Sequence, residues 1–239
     1  MSSTIRAAEC YARRKRRATR VLILAWIVAT VTAAAIARAD QPQGAVVGWG
    51  SQVVVGDLSQ GFVAVAAGRS HSLGLKADGS IVAWGSNSNG ETNVPAPNTG
   101  FIAVAAGRSY SLGLKADGSV VVWGCGDPST NHGQCDVPAP NTGFIAVAAG
   151  WYHSLGLKAD GSIVAWGDND YGQTSVPAPN TGFVAIAAGR EHSLGLKADG
   201  SIVAWGDSYF DLTNVPAPNT GFVAVAAGVY HSLGLKSDG

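Results

Sequence analysis

The sequence predicts an all-β fold, a β-propeller, on three observations. One phrase, GFVAVAAGRSHSLGLKADGSIVAWG, recurs in tandem, its first glycine falling at Gly61, Gly100, Gly143, Gly182 and Gly221 in steps of 39, 43, 39 and 39 residues. Each copy breaks into short apolar runs of strand length. No helical period is present after residue 44.

Within the first copy, Phe62 to Gly68 is a run of small apolar residues that reads as the first strand of a blade. Ser72 to Lys76 reads as the second and Ile81 to Gly85 as the third. Asp78-Gly79 stands between the second and third and returns as Asp117-Gly118, Asp160-Gly161, Asp199-Gly200 and Asp238-Gly239. That dipeptide tolerates the positive φ angles of a tight hairpin, so these two strands are expected to be antiparallel neighbours. A fourth strand is expected near Thr92 to Pro95, at the outer edge, where a proline disturbs no ladder. The Ala-Ala-Gly end of the first strand suits the crowded axis of the ring. The tryptophans of the Trp-Gly pairs (Trp49, Trp84, Trp123, Trp166 and Trp205) are expected to pack between blades.

Residues 1–39 differ from the rest. Arg6, Arg13, Arg14, Lys15, Arg16, Arg17, Arg20 and Arg38 stand against Glu9 alone, and the apolar run Val21 to Ile36 ends at Ala37-Arg38-Ala39. A basic region, an apolar run too short to span a bilayer and a small-x-small site read as a signal peptide cleaved before Asp40, with the repeat domain at 40–239. The competing reading is an anchor retained over residues 21–36. Ala18-Thr19-Arg20 after the Arg16-Arg17 pair favours general export over the twin-arginine route. Removing residues 1–39 leaves eight bases and fifteen acids, a net charge of −7, with no Lys/Arg cluster to hold phosphates. Nucleic acid is therefore excluded as an expected partner.

The pattern VAAGxxHSLGLKxDGSxVxWG resembles the repeat of the regulator of chromosome condensation family in a compact, bacterial, exported form, over residues 45–239. The resemblance implies a propeller, usually of seven blades. In that family the eukaryotic founder is a guanine nucleotide exchange factor that binds chromatin, and a bacterial relative is a secreted β-lactamase inhibitor. Nothing outside the scaffold matches, so no exchange-factor residue carries over. The chain opens on a third strand, Ala45 to Gly50, and stops before the next one. Five repeat units therefore make either a closed five-bladed ring or a fragment of a larger propeller.

Cys125 and Cys135 share the insertion that makes the one irregular step and are expected to form a disulfide. A metal site of Cys125, His132 and Cys135 is the alternative, without a clear fourth ligand. His71, His153, His192 and His231 share one repeat position, filled by Tyr110 in the second copy, and are expected each to fix its own turn rather than to bind metal. Asp168-Asn169-Asp170-Tyr171-Gly172 begins like a calcium loop, but Gln173 and Pro179 fall where glycine and glutamate are required. Ser72, Ser111, Ser154, Ser193 and Ser232 are scaffold residues. No nucleophile, base and acid recur together, so neither catalytic residue, metal nor cofactor is expected.

Strand direction then separates the two faces of the ring. The Asp-Gly turns and the Pro-Ala-Pro-Asn-Thr-Gly linkers share a lower face that is nearly identical in every copy. The upper face varies, and its candidate binding residues are Arg69, Arg108, Trp151, Tyr152, Tyr171, Arg190, Tyr209, Phe210 and Tyr230. Trp, Tyr and Arg are the side chains that anchor interfaces. The expected function is an exported, non-enzymatic scaffold binding a protein or extracellular polymer through this face. The alternatives are a secreted inhibitor of an extracellular or cell-wall enzyme, an exchange-factor-like activity by family analogy, and a propeller enzyme acting on polysaccharide.

Overall fold

A computed structural model describes Ala45 and residues 61–238. The signal-peptide and anchor readings, and all but Ala45 of the strand expected at Ala45 to Gly50 with the ring closure it implies, fall outside the described residues. The first sheet is formed by β1 (Phe62–Ala67), β2 (His71–Lys76) and β3 (Ile81–Gly85), and the second by β4 (Phe101–Ala106), β5 (Ser111–Lys115) and β6 (Val120–Trp123). The third contains β7 (Phe144–Ala149), β8 (His153–Lys158) and β9 (Ile163–Gly167), and the fourth β10 (Phe183–Ala188), β11 (His192–Lys197) and β12 (Ile202–Gly206). The fifth has β13 (Phe222–Ala227) and β14 (Ser232–Lys236). Strands pair antiparallel in chain order within each sheet. The five inner strands end around one cavity lined by Ala67-Gly68, Ala106-Gly107, Ala149-Gly150, Ala188-Gly189 and Ala227-Gly228. Small residues stand there because five backbones converge.

The hairpin between β2 and β3 closes with Lys76 N donating to Ser80 O (2.8 Å) and Gly79 N to Lys76 O (3.0 Å). Only Gly79 takes a positive φ, +82°. Asp78 contributes differently from the expectation: its Oδ1 accepts from Ser80 N (2.8 Å) and Ser80 Oγ (2.6 Å), closing an Asx turn. The same bonds recur at Asp117, Asp160 and Asp199.

The expected fourth strand is absent from all four described linkers. Its place beside the third strand is taken by a side chain. Asn98 Oδ1 accepts from Ile81 N (2.7 Å) and Asn98 Nδ2 donates to Ile81 O (2.8 Å), the two bonds a neighbouring backbone would make. Asn141, Asn180 and Asn219 do the same for Val120, Ile163 and Ile202. The linker then reaches the next blade on the lower face, where Phe101 N donates to Gly79 O (3.0 Å).

A glycine interrupts each middle strand for a packing reason. A Cβ on Gly74 would sit 2.4 Å from Phe62 Cε1, and Gly113, Gly156 and Gly195 meet Phe101, Phe144 and Phe183 in the same way. Those phenylalanines also reach the preceding blade: Leu73, Leu75 and Ile81 form one core with Phe101 and Trp123, and Leu112, Leu114 and Val120 form the next with Phe144 and Trp166. Full burial of such a side chain stabilises by roughly 1.5–3 kcal/mol. Leu233 and Leu235, in a sheet with no described neighbour on that side, stay exposed.

A polar ladder runs beside each apolar core. His71 Nε2 lies 3.0 Å from Ser111 Oγ of the next blade, Ser111 Oγ donates to Glu91 O (2.8 Å), and Trp123 Nε1 donates to that same oxygen (2.9 Å). His153, Ser193, Trp205 and Gln173 O repeat it at 3.0, 2.8 and 2.9 Å. Trp166 Nε1 and Ser154 Oγ converge on Gln134 O, where Tyr110 replaces the histidine and donates to His153 O. Trp123, Trp166 and Trp205 therefore join blades, as expected. His71, His153 and His192 do not fix their own turns; each ring reaches a serine of the next blade.

The ladder also sets the protonation of the histidines. Each serine has one hydroxyl proton and donates it to the loop carbonyl, so Nε2 of the histidine must carry the proton it shares with Oγ. Nδ1 of His71, His153 and His192 is then a buried lone pair with no partner among the described residues. Burial, with His192 adding repulsion, lowers the pKa of His153 to about 3, and burial lowers those of His71 and His192. The unfolded chain binds these protons below about pH 6.5 and the folded chain does not, so stability is full above pH 6.5 and falls as pH drops toward 3. The Asp117, Asp160 and Asp199 carboxylates are held below their ordinary range by Ser119, Ser162 and Ser201 and act only at lower pH. His153 alone should remove about 3 kcal/mol by pH 4. Denaturant unfolding between pH 6.5 and 4 should show this loss, and His153→Tyr, the residue the second copy already uses, should lessen it. An identical slope in the variant would contradict the assignment.

Candidate functional site

The loops after the third strands carry the upper face, and a buried side chain shapes three of them. Glu91 Oε2 accepts from Asn89 N (2.7 Å), Gln134 Oε1 from His132 N (2.6 Å) and Gln173 Oε1 from Tyr171 N (2.9 Å). These caps hold the three carbonyls that the ladder uses. Their signal in the sequence is a Glu or Gln at the same position of the first three described copies, where the fourth has Leu212.

The calcium-like segment is this same loop. Asp168 Oδ1 accepts from Asp170 N (3.0 Å) and Asn169 Oδ1 from Thr174 N (2.9 Å), matching Asn87 Oδ1 and Thr92 N (3.0 Å) in the first copy. Among the described residues no three His, Cys, Asp or Glu side chains are grouped to hold a metal ion. Cys125 and Cys135 are joined as a disulfide, their Cα atoms 6.4 Å apart. His132 instead packs at a tilt of 46° against Tyr152, with ring centroids 4.5 Å apart.

The inner turns bring Arg69, Trp151 and Arg190 of the candidate binding residues to an axial cavity of about 330 Å³, together with Val229. Trp151 is the centre. The guanidinium carbons of Arg190, Arg108 and Arg69 lie 4.5, 4.9 and 5.8 Å from its ring centroid. Arg108 also covers Tyr152 at 4.9 Å. Arg190 lies 5.4 Å from the Tyr230 ring, donates to the Tyr230 hydroxyl and pairs with Glu191 at 3.0 Å. Burial, then the charges of Arg69 and Arg190, hold the pKa of Arg108 below the ordinary arginine value.

The aromatic surface continues outward from Tyr230. Phe210 packs edge-on to Tyr230 at 5.3 Å and to Tyr209 at 4.4 Å. Tyr209 and Phe210 remain 70% and 63% exposed, which leaves them available to a partner. Tyr171 is exposed but makes no ring contact among the described residues, so it stands apart from the cluster. Phe210 (φ +64°) and Asp211 (φ +57°) are left-handed within a 3-10 turn, Tyr209–Asp211. The corresponding residue to Asp211 in other copies is glycine, Gly90 and Gly172, with φ of +83° and +80°.

Repeated three-stranded sheets around an axis, with one face constant and one varied, define a propeller scaffold. The model of the regulator of chromosome condensation (RCC1) repeat matches residues 62–91, 101–134, 144–173 and 183–211, more than half of the chain, and the chain belongs to that family. It is similar to solved Prp20p from Saccharomyces cerevisiae at 21% identity, with a TM-score of 0.60 over 73% of this chain and 56% of that one. It is similar at 29% identity to the CRINKLY ectodomain of the Arabidopsis thaliana receptor kinase ACR4, with a TM-score of 0.56 over 74% and 59% of the two chains. For the ectodomain of the Physcomitrella patens receptor kinase CR4 the values are 23%, 0.57, 73% and 50%. The chain thus spans little more than half of these proteins. Comparison with curated proteins gives no match.

Left-handed backbone at residues with a Cβ stores strain. Replacing Asp211 with glycine should stabilise the chain by about 0.5–1 kcal/mol. Thermal unfolding checks this, and an unchanged or lower melting temperature would contradict strain in this loop.

Proposed function

We propose that the chain is an exported, non-catalytic scaffold that holds a protein partner on its upper face. The observation that carries this reading is the contrast between the faces. The lower face repeats the same contacts from blade to blade, with Lys115, Lys158, Lys197 and Lys236 each donating to a linker proline carbonyl at 3.1–3.2 Å. On the upper face the turns read Arg-Ser in the first two copies and then Trp-Tyr, Arg-Glu and Val-Tyr, yet their side chains assemble into one connected Arg and aromatic surface. Large aromatic and Arg side chains at the centre of a patch are what anchors protein partners.

Two solved structures of one relative lend support by analogy. The Prp20p study concerns binding to Gsp1p and histones, and yeast RCC1 (Prp20) has been crystallised with Kap60. Residues 1–39, outside the described residues, support export by sequence alone. The reading without catalysis is supported by the commitments of the serines and histidines. Ser111, Ser154 and Ser193 are fully buried and donate to loop carbonyls. The axial cavity is lined by Ala, Gly, Arg, Trp and Val, which include no base for proton transfer at neutral pH.

Alanine at Trp151, Tyr152, Tyr209 and Phe210 tests the assignment. A partner captured from the extracellular fraction should bind each variant more weakly, by about tenfold or more at an anchor residue, with the melting temperature unchanged at Tyr209 and Phe210. Unchanged binding would move the site off this face. Capture of a polysaccharide, or its turnover, would replace the protein-binding reading.

A further inference from the structure

The charge of the upper face is arranged in a way that binding through aromatics does not require. Residues 61–238 carry eight Lys and Arg against thirteen Asp and Glu. The five lysines (Lys76, Lys115, Lys158, Lys197 and Lys236) all lie over the phenylalanine at the start of their own sheet, on the lower face. The three arginines all lie at the other end, over one tryptophan ring. The longer loops of the same upper face carry Asp127, Asp168, Asp170, Asp207 and Asp211.

Three guanidiniums within 6 Å of one ring centroid repel one another, and a shared π face offsets that only in part, at about 0.5–1 kcal/mol for each exposed contact. Glu191 neutralises Arg190. Arg69 and Arg108 form no ion pair among the described residues. Arg69 lines a small cavity floored by Ala and Gly, and Arg108 stands beside it over the ring of Trp151, which also lines it, so two forks of hydrogen-bond donors without an ion pair lie at its mouth. A guanidinium fork matches the two oxygens of a carboxylate.

We propose that the axial mouth formed by Arg69, Arg108, Trp151 and Arg190 is a receptor for a carboxylate on a protein partner, an Asp or Glu side chain or a chain end, whose apolar stem rests on Trp151. The inference rests on the upper face being the recognition surface and adds the chemistry of its ligand. The small volume fits one side chain or terminus rather than a polymer. The acidic loops of the same face disfavour nucleic acid and polyanionic glycans, which would bring many charges past them, and a dianion more than a single carboxylate. The lowered pKa of Arg108 is consistent with a mouth where positive charge is crowded and partly desolvated.

The probes are capped hexapeptides with two central Glu or two central Gln, the Gln peptide with a free C-terminus, and inorganic phosphate. Each is titrated into the full exported chain by calorimetry in low and moderate salt. The Glu peptide or the free-terminus peptide should bind saturably, and which of the two binds distinguishes a side chain from a chain end. The capped Gln peptide should bind about tenfold more weakly or worse. Arg108→Gln and, separately, Arg69→Gln should each reproduce that loss, and Lys76→Gln, which removes the same charge from the lower face, should not. Equal binding of the capped Gln and Glu peptides, no binding by any peptide, or equal loss in Lys76→Gln would overturn the proposal. Phosphate binding tighter than either carboxylate would assign the mouth to free phosphate instead. Peptide failure while partner capture still depends on Tyr209 and Phe210 would remove the carboxylate site and leave the recognition face in place; failure of both would remove both.

Discussion

Every interface between described blades depends on one kind of atom, a buried main-chain carbonyl in the loop after the third strand. Glu91 O, Gln134 O and Gln173 O each accept from the tryptophan indole and the serine hydroxyl of the following blade. A carbonyl shut away from water must be satisfied, and leaving it bare costs about 1–3 kcal/mol. The Trp and Ser of each copy are thereby tied to a backbone position in the copy before. Leu212 O shows that the fixed element is the carbonyl and not the side chain, since it accepts from Ser232 (3.0 Å) although Leu replaces Glu or Gln.

This arrangement explains how one face can vary while the fold stays constant. The ladder uses the backbone of the loop and one inward side chain, so the outward residues carry no structural duty. Asn89, His132, Tyr171 and Phe210 follow one another at the same place in the four described loops, and each meets different surroundings: Asn89 accepts from Thr130 of the next loop, His132 packs against Tyr152, Phe210 packs against Tyr209 and Tyr230, and Tyr171 makes no ring contact among the described residues. The inner turns behave alike. Arg69, Arg108, Trp151, Arg190 and Val229 occupy one repeat position, and the ring symmetry that packs Ala and Gly below them brings four of these side chains to a single mouth and the fifth, Arg108, over the Trp151 ring beside it.

The strands and the two faces were legible in the sequence because they follow from period, strand length and the Asp-Gly signal, and β3 coincides with the segment expected from Ile81 to Gly85. The fourth strand was not legible, since no residue-level pattern distinguishes a backbone neighbour from an asparagine amide making the same two bonds to Ile81. The histidines were read as local because a lone repeat position reveals no partner. Their reach to Ser111, Ser193 and Ser232 spans 40 residues, one blade, and depends on how the sheets stack. The candidate residues were found from their variation, but the convergence of three arginines on Trp151 belongs to the curvature of the ring. Tyr171 passed the same test of variation and lies outside the cluster.

The central claim is that a shared carbonyl couples its two donors, and a double-mutant cycle on Trp205→Phe and Ser193→Ala measures that coupling directly. Either substitution alone leaves Gln173 O with one donor, whereas both together leave it bare inside the interface between the third and fourth sheets. Denaturant unfolding of the full chain should give a double variant less stable than the sum of the singles by about 1 kcal/mol or more. Additivity within about 0.5 kcal/mol would contradict the account.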